Sequence, residues 1–330
     1  MKVSLVIPIY NEMHSIEDLC DEINEVMDKH AIDAEIILVD DGSTDESWKE
    51  IEKIVSLKSC VQAIRFRRNF GKAAALSAGS SMATGTILIT MDADLQDDPV
   101  EIPCFLQAME KGVDVVSGWK QNRKDPWHKV WPSKVFNRFV SMLTGVVLHD
   151  HNCGMKAYRS EVFQEIELYG ELHRFVPVLA YARGFRIGEI PIRHRAREHG
   201  KSKYGTSRFI KGFLDLLTVK FLTAFGHRPQ HFLGTVGLLG VAMGGAGLVY
   251  LALCWFNGER PIGTRPLLQY SIAALLLGSQ VITIGFLAEL IISHQGRQEG
   301  RYSVAEQISS KTIHSSDGIQ QDKKHNSSDS

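Results

Sequence analysis

Thr86-Ile87-Leu88-Ile89-Thr90-Met91-Asp92-Ala93-Asp94-Leu95-Gln96 joins an apolar run of strand character to two carboxylates and an amide oxygen. Side chains alternate along an extended strand end, so residues 92, 94 and 96 are expected to point to one side. Oxygen ligands of this kind suit Mg²⁺ or Mn²⁺ rather than zinc, and a metal-bound diphosphate is the first substrate class to weigh. Taken alone, the same letters also describe a charged surface turn. The rest of the chain decides between the two.

Outward from this stretch, the first 118 residues repeat one pattern: short β-branched apolar runs at Val3 to Ile9, Glu35 to Val39, Val61 to Phe66, Thr86 to Met91 and Val113 to Val116, with helical patterns between them. That alternation predicts a Rossmann-like α/β fold, a mostly parallel sheet covered on both faces. Ligands of such sheets bind at the carboxyl ends of the strands. Polar residues gather there: Pro8, Tyr10, Asn11 and Glu12 after the first run, Asp40, Asp41, Gly42 and Ser43 after the second, and Asp92 to Gln96 after the fourth. Neither a G-x-G-x-x-G fingerprint nor a P-loop follows the first strand, where the chain reads Pro8-Ile9-Tyr10-Asn11-Glu12. Without a glycine loop, a diphosphate would depend on a cation and on Lys or Arg side chains.

The 330 residues are 44% hydrophobic with a formal net charge of −1, which excludes the positive excess of a nucleic-acid binder. Charge is nonetheless clustered. Residues 119–138 hold Lys120, Arg123, Lys124, Lys129, Lys134 and Arg138 against Asp125, and a second block holds Arg193, Arg195, Arg197, Lys201, Lys203, Arg208 and Lys211 against Glu198. Each is either a solvated face or a phosphate-binding surface. Residues 231–256 and 267–288 contain no Asp, Glu, Lys or Arg, and each is long enough to cross a hydrocarbon core of about 30 Å as a helix. The short link from Asn257 to Pro266 predicts a hairpin, with the N-terminal domain and the C-terminal tail on one side. That side is expected to be the cytoplasm, because Met1-Lys2-Val3-Ser4 runs straight into a strand. Arg260 and Arg265 on the outer loop leave little positive-inside contrast with Lys220, Arg228, Arg297 and Arg301. Five cysteines without a CxxC pair argue against both a disulfide framework and a zinc site. From Ser303 onward the composition is that of a disordered tail.

Val6-Ile7-Pro8-Ile9-Tyr10-Asn11-Glu12, Val39-Asp40-Asp41-Gly42-Ser43, Arg68-Asn69-Phe70-Gly71-Lys72 and Asp92-Ala93-Asp94-Leu95-Gln96 together resemble the GT-A glycosyltransferases of family 2. The likeness is greatest to their polyprenyl-phosphate branch and covers roughly residues 1–293. It implies a nucleotide-sugar donor site: Pro8, Tyr10, Glu12, Val39 and Asp41 around the nucleoside, Ala93 and Lys72 beside it, and Asp92, Asp94 and Gln96 around Mg²⁺ or Mn²⁺. Lys72 reads equally as a helix-capping surface lysine. Arg174, Arg197, Lys201 and Ser202 are implied on the donor side, the last two in the loop His199-Gly200-Lys201-Ser202-Lys203-Tyr204, which would fold over the diphosphate and exclude water. Lys120, Lys129 and Ser133 are implied for the acceptor phosphate, although related synthases tend to carry arginines where the two lysines fall, and Lys lacks the bidentate fork. Asp94 is implied in catalysis through the cation. Asp150, in Asp150-His151-Asn152-Cys153-Gly154-Met155-Lys156, would orient a sugar hydroxyl, serve as the catalytic carboxylate, or stand as a hydrogen-bonded loop residue.

These readings imply a metal-dependent inverting transferase moving a hexose from a donor of UDP-glucose or GDP-mannose type to polyprenyl phosphate, at the cytoplasmic face of a membrane, expected to be the plasma membrane. The expected organisation is a GT-A domain over 1–204, an amphipathic helix over 205–228, a membrane hairpin over 229–294 with spans near 231–256 and 267–292, and a tail over 295–330. Phe209, Phe213, Leu216, Leu217, Phe221 and Phe225 recur at helical spacing beside Arg208, Lys211 and Lys220, which fits a helix lying on a membrane or a buried core helix. Homo-oligomers, tetramers among them, fit related membrane enzymes. A processive polysaccharide synthase is the alternative enzyme, disfavoured by the lack of a Gln-x-x-Arg-Trp motif and by two helices being too few for a channel. A catalytically silent membrane partner is the non-enzymatic alternative.

Overall fold

The computed structural model describes residues 2–121, 127–166, 168, 170–193, 195, 207–225 and 229–295. Among them, the strands β1 (Val3–Ile9), β2 (Ala34–Asp40), β3 (Val61–Arg65), β4 (Ile87–Thr90), β5 (Val115–Lys120), β6 (Lys156–Arg159) and β7 (Ile187–Ile192) form one sheet of order β3-β2-β1-β4-β6-β5-β7. β1, β2, β3 and β4 are mutually parallel, β5 and β7 are parallel, and β6 runs antiparallel between β4 and β5. The chain winds outward from β1 to β3 and then crosses back to β4 on the other side of β1. This change of direction opens a crevice at the carboxyl ends of β1 and β4.

The layers follow from alternation in β1. Val3, Leu5 and Ile7 pack towards helix α1 (Ile16–His30), which presents Ile16, Leu19, Cys20, Ile23 and Met27 at helical spacing. Val6 points to the opposite layer with Ala75 and Leu76 of helix α3 (Lys72–Met82), and a Cβ at Gly79 would strike Val6. Helix α2 (Ser47–Leu57) contributes Ile51 and Ile54 to the first layer, as does α4 (Ile102–Glu110) with Phe105 and Met109. The short α6 (Ser160–Glu165) and α7 (Val176–Ala182) complete the second layer. Parallel strands buried on both faces explain the near-continuous apolar runs.

A third cluster lies away from the sheet. Helix α5 (Trp127–Thr144) brings Val140 against Phe175 and Val178, and helix α8 (Ser207–Phe225) adds Leu216 and Val219. Leu216, for which the sequence left a membrane-facing and a buried reading open, is buried in the domain, whereas Leu214, Leu217 and Phe221 are exposed. The helix serves both readings at once: one stripe docks on the domain and another faces outward. Helices α9 (Pro229–Phe256) and α10 (Pro266–Gln295) pack along each other and are long and apolar enough to cross a membrane, with only 17% of their most apolar windows buried. Their backbones approach so closely that a Cβ at Gly237 would meet the Gly278 carbonyl and one at Gly244 the Ser271 carbonyl.

Glu35 staples β1, β2 and the turn before β4. Its carboxylate accepts from the Ser4 hydroxyl, from Thr84 N at 2.7 Å and Thr84 Oγ1 at 2.9 Å, and pairs with Lys2 at 3.2 Å. Burial pushes the carboxyl up, but these donors outweigh it and hold the group at about 2 against an ordinary 4.5. The stabilisation is thus complete above about pH 4.5 and drains away as the pH falls towards 2. Glu35→Gln is expected to lower the thermal midpoint at pH 7 and to flatten the stability loss between pH 4.5 and 2. Calorimetry across that window checks it, and an unchanged acid limb would contradict the assignment.

Candidate active site

The polar residues predicted at the strand ends do converge. After β1 the chain turns at Asn11, whose φ of 54° lies in the left-handed region, and the Asn11 side chain accepts from Thr44 N at 2.8 Å. Glu12 N donates to Ser47 Oγ at 3.0 Å, tying this turn to the start of α2. Pro8 and Tyr10 are half-buried, while Val39 is fully buried in the second layer, so only its backbone faces the crevice. Asp41 accepts from Phe70 N at 2.7 Å and from Gly71 N at 2.9 Å. Burial raises its carboxyl above the ordinary range, against the pull of those two amides. The same loop crosses Gly42 so closely that any Cβ there would meet the backbone of Arg68 and Asn69, and Gly42 has φ +70°. Asp41 and Gly42 together fix the loop that delivers Lys72.

β4 ends at Thr90, so Asp92 to Gln96 form a turn rather than a strand end, with Leu95 at φ 59°. Exposure still alternates as expected: Asp92, Asp94 and Gln96 are half-exposed, and Ala93 and Leu95 are anchored in the core. The Ala93 carbonyl accepts from Ser15 Oγ at 2.6 Å, and Asp94 Oδ1 accepts from Gln96 N at 3.2 Å. Asp92 Oδ1 accepts from the Lys72 ammonium. Burial pushes the Asp92 carboxyl up, but Lys72 outweighs it, with Lys120 and His173 assisting, and holds it at about 2 against 3.8. Lys72 is therefore neither a surface lysine nor a helix cap: it places a cation on the first carboxylate of the motif.

Among the described residues no three His, Cys, Asp or Glu side chains stand close enough to hold a metal by themselves. Two half-exposed carboxylates and an amide oxygen, one of them already drawing an ammonium, nevertheless fit a hard cation that takes its remaining oxygens from a phosphate or water. The opposite wall supplies the space. A Cβ at Gly154 would overlap the Asp92 carboxylate, so glycine is what admits that side chain.

Lys120 is the last residue of β5 and pairs at 2.9 Å with Asp97, a fully buried carboxylate one residue past the motif. Burial lowers the Lys120 ammonium, but Asp97 outweighs it and the net shift is upward. Asp150 is also buried, its Oδ1 accepting from Asn152 N at 3.0 Å. Its backbone is clamped from β7: Glu189 accepts from His149 N at 2.9 Å, Asp150 N at 3.1 Å and His149 Nδ1 at 2.7 Å, while Trp119 stacks on the His149 ring at 4.1 Å. Arg174 pairs with Glu171 at 2.5 Å from the turn Leu172–Phe175. Arg195, from the second basic block, is tied to Glu22 at 2.7 Å and to Asp98 at 2.8 Å. Lys129 and Ser133 fall on α5 with side chains outside the described residues, as are Arg197, Lys201, Ser202 and the surrounding loop.

The segment holding Asp150 and Gly154 was read from the sequence, but that Gly154 makes room for Asp92, and the roles of Asp97, Lys156, His173 and Glu189, were not. Asp97 directly follows the motif, and its position there was the only local signal; the others act across distances in sequence that no local pattern reports. Gly154→Ala is expected to displace the Asp92 carboxylate and to weaken Mn²⁺ binding and turnover on the order of 100-fold, with the thermal midpoint within a few degrees of wild type. Titration of Mn²⁺ against both proteins checks this; wild-type affinity in the alanine variant would contradict it.

Residues 4–167 match the family described as glycosyl transferase family 2. A dodecaprenyl-phosphate galacturonate synthase of Rhizobium johnstonii is 41% identical over 296 residues, covering 88% of each chain. Glucosyl-3-phosphoglycerate synthase of Mycobacterium tuberculosis, solved with UDP, shares the fold at a TM-score of 0.53 and 18% identity, over 67% of this chain and 79% of that one. The same enzyme solved with Mn²⁺, UDP-glucose and phosphoglyceric acid gives 0.52 at 17% identity, over 67% and 79%. With a GT-A-like sheet, the strand-end site and a relative of this closeness, the chain belongs to the family 2 glycosyltransferases, in their polyprenyl-phosphate branch.

Proposed function

We propose that this protein transfers a sugar from a nucleotide diphosphate to a polyprenyl phosphate at the cytoplasmic face of a membrane in which α9 and α10 are anchored. The observation that carries the reading is the placement of the Asp92, Asp94 and Gln96 oxygens at the carboxyl end of β4, in a domain whose α8 leads into the apolar hairpin. The relative's sugar is a galacturonate. For this chain the donor is a nucleotide hexose of UDP-glucose or GDP-mannose type, or the corresponding hexuronate.

The acceptor is anionic at neutral pH, so its oxygen needs no general base to become a nucleophile. What remains is to position it in line with the anomeric carbon and to stabilise the leaving group. A cation at Asp92, Asp94 and Gln96, Mg²⁺ or Mn²⁺, would supply positive charge to the departing diphosphate. Lys72 stands ready to shift from Asp92 to a phosphate oxygen. Tyr10, Glu12 and Asp41, with the backbone at Pro8 and Val39, line the nucleoside end. Asp150, rigidly held by Glu189, orients a sugar hydroxyl near the reacting carbon. Lys120, with Lys129, Ser133 and the basic loop around Lys201, draws the lipid phosphate and the donor together, and a single displacement inverts the anomeric centre.

Incubating the purified protein with a panel of nucleotide sugars and undecaprenyl phosphate, and weighing the lipid product, is expected to reveal one glycosylated lipid. Chelation should abolish its formation and Mn²⁺ should restore it. Asp94→Asn should lower kcat at least 100-fold, on the order of the loss for one stabilising group, without changing the melting profile. Full turnover in the chelated protein would overturn the metal assignment, and donor consumption independent of the lipid would overturn the acceptor.

A further inference from the structure

Two nitrogen-bearing side chains near Asp92, Lys156 and His173, make no ion pair among the described residues. Lys156 enters on β6, where its backbone pairs with Thr90 of β4 and Ser117 of β5, two residues beyond the glycine that admits the Asp92 carboxylate. It is 3% exposed, and its hydrogen bond goes to the Cys153 carbonyl. Lys72, Lys120 and Arg174 each meet a carboxylate, whereas Lys156 makes no ion pair among the described residues. A buried ammonium resting on a peptide carbonyl is costly, and an anion is what relieves the cost. His173 lies on the Leu172–Phe175 turn packed against α3, and its Nδ1 is buried with no hydrogen-bond partner among the described residues. Both groups lie within electrostatic reach of Lys72 and of Asp92, His173 also of Lys156 and Arg174, and Lys156 also of the Asp150 carboxylate, though neither forms an ion pair with these acids among the described residues. Burial lowers both from their ordinary values.

The missing partner is small and anionic. Asp92 is already shared between Lys72 and the proposed cation. A lipid phosphate carries a bulky tail and would have to reach a lysine sunk in the floor between β4 and β5. A planar carboxylate projecting from a sugar ring reaches that floor with two oxygens for two donors. We propose that Lys156 and His173 form a subsite for the C6 carboxylate of the donor sugar, so that the enzyme selects a hexuronate over the neutral hexose of the same configuration. This rests on the transferase reading of the site.

The test compares a UDP-hexuronate with the UDP-hexose that differs from it only at C6, using full-length protein in detergent with undecaprenyl phosphate. Calorimetric binding of each donor without acceptor is measured in parallel. Wild type should favour the hexuronate in both assays, by on the order of 100-fold in kcat/KM. Lys156→Met, close in shape, should collapse that ratio towards one; Lys156→Arg should retain part of it, and His173→Gln should lower it about tenfold. Equal losses for both donors in these variants, or a wild-type preference for the neutral sugar, would overturn the subsite while leaving the transferase reading intact. Hexuronate-selective binding without transfer to the lipid would uphold the subsite and overturn that reading instead.

Discussion

The contact between Asp92 and Lys72 organises the rest of the site. A carboxylate in the turn just after a central, fully buried strand meets an ammonium at the start of a helix from the neighbouring layer. For the two to meet, Gly154 must leave room on one side and the Asp41 carboxylate must hold the Gly71 amide on the other. Three strand ends are thereby locked into one crevice. In the proposed reaction the interaction would be switchable, since an ammonium on a carboxylate can give way to a divalent ion when phosphate oxygens offer the ammonium another partner.

A second constraint connects this crevice to the apolar hairpin. Phe175, on the turn that carries His173 and Arg174, packs in the same cluster as Val140 of α5 and Leu216 and Val219 of α8. The turn proposed to face the donor and the helix with exposed Leu214, Leu217 and Phe221 therefore share a core. Burying those exposed side chains in a headgroup layer would set the pocket's mouth at the depth of a lipid phosphate. One face of α8 fixes the helix to the domain and the other is exposed, which is why a single period in its sequence fitted two readings.

Much of this was legible from local pattern. The strand runs at β1 to β5 were visible because parallel strands covered on both faces are apolar throughout, and the spans of α9 and α10 because hydrocarbon tolerates no charge. Asp92, Asp94 and Gln96 were legible as a set because their spacing survives even though the segment is a turn, not an extended strand end. β6 was missed: Lys156-Ala157-Tyr158-Arg159 is four residues long with a cation at each end, and nothing local says that Lys156 is buried. Asp97 reads as one more acid in an acidic stretch until Lys120 reaches it from another strand. Gly154 and Glu189 matter only through partners dozens of residues away, a relation set by the sheet order rather than by spacing.

The central claim is that the oxygens of Asp92, Asp94 and Gln96 hold a divalent cation against a nucleotide diphosphate, with Lys72 yielding its place. Diffraction at the manganese absorption edge, from crystals of the full-length protein grown with Mn²⁺ and the donor nucleotide, tests it most directly. The account predicts one anomalous peak between these side chains and the diphosphate, with the Lys72 ammonium on a phosphate oxygen. A bound diphosphate with no peak there, and Lys72 still on Asp92, would contradict it.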